Sequence, residues 1–207
     1  MALISAGTTI FDAGSISAGN SGSMSFIKKL TASSSATLTF VGGAASVVLD
    51  GTYKEYLFTF NNLHAATRSN FSFQGRDGGS AYDSTITSTH FEAKHDEANE
   101  VDIGFAYENG RDQAQTTNFQ IISDTSHTGN DDGLSGYLKI FNPASTSYAK
   151  HFMSEVNSIT DNPTMCHNFC AGYFNTTTAI DAFQFKFASG NIDSGGFIPG
   201  IRPGSET

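Results

Sequence analysis

Two short stretches carry aromatic residues at every second position, and that spacing constrains the fold more than any other feature of the chain. In YKEYLFTFNNL, Tyr56, Phe58 and Phe60 share one side, with Tyr53, Glu55, Leu57 and Thr59 on the other. In AFQFKFA, Phe183, Phe185 and Phe187 alternate with Gln184, Lys186 and Ala188. A period of two places alternate side chains on opposite faces of a strand, whereas a helix would scatter these rings around its axis. Further strands are predicted at SFIKKL, SATLTFVG, SVVLDG, Asn70–Gly75, Thr85–Ala93, Asp102–Tyr107, Asn118–Ile122, Gly136–Phe141, Tyr148–Asn157 and Met165–Asn175. Turn signals separate them: Asp50-Gly51, Asp77-Gly78-Gly79, Asn109-Gly110, Asp132-Gly133, Asn142-Pro143 and Asn162-Pro163. Such spacing predicts an all-β fold, an antiparallel two-sheet β-sandwich of jelly-roll-like form.

At 207 residues and 38% hydrophobic, the chain is long enough to bury one real core, and a charged fraction of only 15% suits strands joined by polar turns. Residues 1–23 are small and polar, with Gly7, Gly14, Gly19 and Gly22 in a loose repeat of about seven residues. They read as an extended N-terminal arm suited to backbone pairing with a neighbour or a partner subunit; a flexible leader is the alternative. The folded domain is expected over 24–198. Residues 199–207 are expected to be a C-terminal tail, because IPGIRPGSET with Pro199 and Pro203 is too rich in Gly and Pro for a central strand.

Charge narrows the partners. Lys and Arg number 11 against 20 Asp and Glu, a formal net charge of −9, which disfavours a phosphate-binding surface and makes nucleic acid a poor partner. No window approaches the roughly 20 apolar residues of a membrane span. The N-terminus lacks a basic and then apolar export signal, so no membrane partner is expected and synthesis is placed in the cytoplasm. Two cysteines in 207 residues make no disulfide scaffold.

The chemistry-bearing residues are sparse. Cys166 and Cys170 bracket His167, and His151 would be the added ligand of a metal site. On a strand, however, positions four apart lie about 13 Å apart, too far for one tetrahedral ion or a disulfide, so both cysteines read as small core residues. The loop 124–133 holds Asp124, Asn130, Asp131 and Asp132, oxygen donors of the kind calcium takes, but no Glu follows at the twelfth position of an EF-hand; a solvated turn is the plainer reading. His90 and Glu92 share one strand face, while His95, Asp96 and Glu97 run towards a loop. Nucleophile elbows, Walker loops, dinucleotide fingerprints, HExxH helices and zinc doublets are absent from the sequence, so no cofactor and no enzyme activity are expected. Exposed aromatics on a sandwich would suit sugar stacking; Tyr82 and Tyr107, followed by Tyr148 and Tyr173, are the candidates, weakened by the lack of Trp.

Several phrases go together: FIKKLTASSSATLTFVGGAASVVLDGTYKEYLFTFNNLHAAT, TSTHFEAKHDEANE, GYLKIFNPASTSYAKHF and AGYFNTTTAIDAFQFKFASGNIDSG. As a set, with TYKEYLF, the FNP turn at Phe141–Pro143 and the GNID turn at Gly190–Asp193, they resemble a family of virion-associated structural proteins of marine tailed bacteriophages, including cyanophages. The resemblance spans about residues 24–198. That family closes on a strand similar to GTIKMYGI, where this chain has GGFIPGIRPGSET. The resemblance brings no catalytic residues. It implies a non-enzymatic virion structural protein on the particle exterior, made in the host bacterial cytoplasm. The expected form is a capsid decoration or cement protein, a homo-oligomer and in first place a homotrimer, anchored to the major capsid protein. The alternatives are a tail fibre or host-adsorption protein that contacts tail proteins and binds host surface glycan, and a glycan-cleaving enzyme built on converging carboxylates.

Overall fold

The architecture follows from a computed structural model that describes residues 3–5, 8–12, 15–16, 24–99, 103–129, 131–160 and 164–202. The strands in chain order are β1 (Leu3–Ser5), β2 (Thr8–Asp12), β3 (Ser15–Ile16), β4 (Ser25–Phe26), β5 (Leu30–Thr31), β6 (Leu38–Val41), β7 (Glu55–Ala65), β8 (Ser69–Arg76) and β9 (Ile86–Asp96). They continue as β10 (Gly104–Tyr107), β11 (Gln113–Thr116), β12 (Gln120–Ser126), β13 (Leu134–Phe141), β14 (Lys150–Thr160), β15 (Thr164–Phe174), β16 (Ala182–Phe187) and β17 (Ile192–Arg202). No helix occurs among the described residues, and none is long and apolar enough to cross a membrane.

The chain is an antiparallel β-sandwich. A ten-stranded sheet in the order β10-β9-β15-β14-β13-β7-β17-β4, with β11 also on β9 and β5 also on β17, packs against a four-stranded sheet in the order β12-β8-β16-β6. The pairs β7/β17, β8/β16 and β9/β15 are nested, so one long antiparallel ribbon rolls from sheet to sheet as in a jelly roll. The hairpin of β13 and β14 is inserted between β7 and β15. Of the arm expected over residues 1–23, the described backbone forms a separate three-stranded sheet, β1-β2-β3; the rest of the arm lies outside the described residues.

Both aromatic stripes face the interior, as their spacing predicts. Tyr56, Phe58, Phe60, Phe183, Phe185 and Phe187 are all buried. Phe185 stands at the centre, with ring centroids 5.3 Å from Phe58, 5.6 Å from Phe60, 6.2 Å from Phe40 and Phe73, and 6.3 Å from Phe71. The two sheets come close where Gly75 on β8 faces β15: a Cβ there would fall 3.0 Å from the Phe174 ring and 3.1 Å from Ile180.

Three segments depart from the sequence expectation. SVVLDG forms a loop, because the chain entering it turns through positive φ at Gly43, Ala45 and its first residue, Ser46, and Val47 N–H then donates to the Ala44 carbonyl. Val47 and Leu49 are nevertheless buried. SFIKKL breaks into β4 and β5, each pairing a different part of β17. The expected boundary at residue 198 falls inside β17, where Pro199 is opposite Phe58 of β7. On the other side, β5 pairs at Gly196 and Phe197 and β4 at Gly200 and Ile201, so Pro199 sits in the gap between them, where its missing N–H interrupts no ladder. Residues 203–207 of the expected tail lie outside the described residues.

Phe185→Ala removes the ring that five others contact, and equilibrium urea unfolding is expected to show a loss of about 3–5 kcal/mol.

Candidate functional site

Away from the rings, the space between the sheets turns polar. β9 turns Ser88, His90, Glu92 and Asp96 inward, and β15 turns Thr164, Cys166, Asn168 and Cys170 inward, all buried. Four charges meet there. Lys94 Nζ donates to Glu92 Oε1 at 2.5 Å and to Asp124 Oδ2 at 3.0 Å. Arg111, from the turn between β10 and β11, donates through Nη1 to Glu92 Oε2 and through Nη2 to Asp124 Oδ1 at 2.5 Å. Every carboxylate oxygen of Glu92 and Asp124 thus faces a cation. Glu92 belongs to the large sheet and Asp124 to β12 of the small one, so the cluster clamps the two layers together.

A neutral shell supports this clamp. The Asn168 side-chain oxygen accepts from Asp124 N–H at 2.9 Å, and its amide donates to the Val156 carbonyl at 3.2 Å. Gln120 accepts from the Ser88 hydroxyl at 2.6 Å and donates to the Arg111 carbonyl at 2.9 Å.

The titrations follow from this geometry. Burial alone would raise the Glu92 carboxyl, but the Lys94 ammonium and Arg111 guanidinium outweigh it and hold the group below its ordinary value. Burial works against the charges on Lys94 and Arg111, and the two carboxylates overcome it and push both groups up. Glu108 is raised, by desolvation and then by the negative charge of Glu92. His90 is lowered, by burial and then by Arg111. Burial raises both thiols, with the charge of Glu92 adding to the effect at Cys166.

What this arrangement can do chemically is limited by its own saturation. Glu92 and Glu108 line an open pocket of about 300 Å³ with Lys94, Ile103 and Phe105, and two carboxyls pushed in opposite directions are the raw material of acid–base catalysis. Yet both oxygens of Glu92 already hold cations, which leaves the low-lying carboxylate no free position for a substrate. Glu92, Asp124 and Cys166 also bring ligand atoms within 4.8 Å of one another. Two internal cations already balance the two carboxylates, and the thiol keeps its proton, so this donor set fits ion pairing better than metal binding.

The loop candidates are not drawn into one site. Asp124 turns inward to the clamp. Asp132 turns instead to His127 Nδ1 and accepts from Gly129 N–H at 2.9 Å, Asp131 is exposed, and Asn130 lies outside the described residues. Tyr82 is half-buried beside the Arg76 guanidinium, 5.9 Å from its ring centre. Tyr107 is exposed on β10 and donates its hydroxyl to Asp112 at 2.7 Å. Tyr148 is exposed in the loop after β13, and Tyr173 pairs with His151 on the outer face of the large sheet. His151 and the two cysteines occupy opposite faces, so they share no site. His95 and Asp96 still belong to β9 rather than to a loop.

Sequence reasoning missed the outer face of the large sheet. Phe169 is stacked on Phe91 of the neighbouring strand, at 4.9 Å, and on His167 of its own strand, at 4.1 Å, while Phe105 leans on Phe91 at 5.1 Å. The rings form a ridge. Beside it runs an apolar groove of about 230 Å³ along Phe91, Tyr137, Met153 and Phe169, continuing into one of about 470 Å³ along Met24, Leu57, Tyr137 and Met153. The signal was present in the sequence: MCHNFCAGYF and KHFMSEV carry apolar residues at both alternating positions, the mark of a strand covered on both faces.

The chain matches no family model, no curated protein and no solved structure.

Arg111→Ala strands two buried carboxylates on a single cation, and a loss of about 3 kcal/mol at neutral pH is expected in urea unfolding. Because the folded state lowers Glu92, its contribution is present above the ordinary value of 4.5 and disappears as pH falls below it. The variant and parent curves should therefore converge in acid. Glu108 has the opposite sign, since folding raises it: Glu108→Gln is expected to stabilise at neutral pH and to change nothing in acid.

Proposed function

We propose that this protein is a non-enzymatic structural component of a tailed-bacteriophage particle, sited on the exterior as a capsid decoration protein that works as a homo-oligomer. The observation that carries the assembly role is the outer face of the large sheet, where Phe105, Tyr107, Met153 and Met165 stand exposed beside the half-buried rings of Phe91, Tyr137 and Phe169. The resemblance of residues 24–198 to phage virion proteins supplies the particle. The acidic balance of −9 suits a position away from packaged DNA. The saturated clamp and the protonated thiols support a scaffold rather than a reaction site.

A glycan-binding role on the tail is favoured by one observation, the exposed Tyr107 beside Asp112, which joins a ring to a hydrogen-bonding carboxylate. The larger ridge supports sugar binding less. A pyranose stacks on an open ring face, and Phe169 is already stacked on Phe91 and on His167.

The reading is tested on the phage whose genome encodes the chain, by cryo-electron reconstruction of the intact particle. Density for the sandwich repeated over the icosahedral lattice is expected; density confined to the tail would favour the glycan-binding role, and absence from the particle would overturn both. Deletion of residues 1–23 is expected to abolish attachment to particles lacking the protein while leaving the thermal unfolding transition in place.

A further inference from the structure

The geometry points to the outer face of the large sheet as the contact between two copies of this chain, paired face to face about a two-fold axis. The pairing goes beyond the virion role and stands whether or not the protein decorates a capsid.

The first argument is extent. β9, β14 and β15 are each 11 residues long and pair along their whole length without a register shift. At about 3.3 Å per residue and about 4.8 Å between strands, the expanse from β9 through β15, β14 and β13 to β7 is roughly 35 by 23 Å, or about 800 Å². That is about the area each partner contributes to a stable interface.

The second is charge. Alternation along β7, β9, β13, β14 and β15 turns outward Leu57, Phe91, Tyr137, Met153, Met165 and Phe169, among others, and the only formally charged residues it turns outward there are Glu55, Lys139 and Glu155. Lys139 lies 3.6 Å from Glu55, and Glu155 lies 4.0 Å from His167. A chain with a net charge of −9 repels its own copies over most of its surface. This face lacks that barrier, so it is where a second copy can approach. Depletion of charge at the centre of a patch, with aromatics and methionine enriched, is also the composition of a buried interface.

The third is shape. The ridge of Phe105, Phe91 and Phe169 and the groove of Leu57, Tyr137 and Met153 lie side by side on the same face. A two-fold rotation sets the ridge of each copy against the groove of the other, so one patch supplies both halves of an isologous contact. Packed sheets of this kind stand about 10 Å apart.

Sedimentation equilibrium and light scattering on the purified full chain test the pairing. The expected mass is twice 22.0 kDa. Phe105→Glu and Met153→Glu alter exposed side chains at 69% and 44% accessibility, so the fold is expected to survive, as judged by an unchanged circular dichroism spectrum and a cooperative unfolding transition. Each is expected to weaken dimerisation by about tenfold or more, and the double variant to be monomeric. Tyr148→Glu, in the loop between β13 and β14, is the control and is expected to remain dimeric. A monomeric parent would overturn the inference, as would a trimer or a dimer that survives both substitutions. The same outcome in a chain lacking residues 1–23 assigns the contact to the sheet face; loss of the dimer on that deletion alone would overturn it in favour of the arm. These masses are read on isolated protein, so they stand apart from the particle reconstruction.

Discussion

The structure depends on keeping two unequal sheets in register across one interior, and it does so with two different materials. Under β8, β16 and β6 the gap is filled by aromatic rings around Phe185, which meets Phe40 and Phe60 edge to face and stacks on Phe71 and Phe73. Under β12, at the edge of the small sheet, it is bridged by Glu92, Lys94, Arg111 and Asp124. Burial of rings is strong but non-directional, and it tolerates small slips between layers. Ion pairs bonded through every carboxylate oxygen do not tolerate them, because any slip leaves an uncompensated buried charge. The rings hold the layers together, and the clamp fixes their relative position at the edge where β10 and β11 attach.

Much of this fold was legible because strand alternation and burial obey the same period. Tyr56, Phe58, Phe60, Phe183, Phe185 and Phe187 could be placed in the core from spacing alone, and so could Cys166 and Cys170. Edges were less legible. SVVLDG has strong strand propensity, yet the turn through Gly43, Ala45 and its own first residue, Ser46, takes it off the ladder, a backbone decision made at the entry to the segment. Pro199 argued against a strand, and the argument failed because the far side of β17 has a gap in its pairing at that point. Propensity describes a residue, whereas the ladder is made by its neighbours.

The clamp was illegible for a related reason. Glu92 and Lys94 lie close in sequence, but Arg111 and Asp124 reach them only through two turns and a change of sheet. Asp124 was assigned to the acidic loop with Asp131 and Asp132, its sequence neighbours, and pairs instead with the side chains that the fold places opposite it. A carboxylate in a loop-like sequence says little about its partner until the topology is known.

The distribution of charge ties the interior to the exterior. In a sandwich with one wet face per sheet, acidic residues would alternate with the core along the strands. Here Asp50, Asp77, Asp83, Glu97, Asp112, Asp131 and Asp181 occupy the connections, and the outward positions of the long strands go to rings, methionine and small polar residues. Placing these charges in the connections leaves a broad sheet face almost neutral. Among the described residues no second layer covers that face on its outer side, and its rings stack on one another and on His167. A surface arranged in this way gains most from one further layer, and the layer closest to it in charge and shape is the same face of another copy.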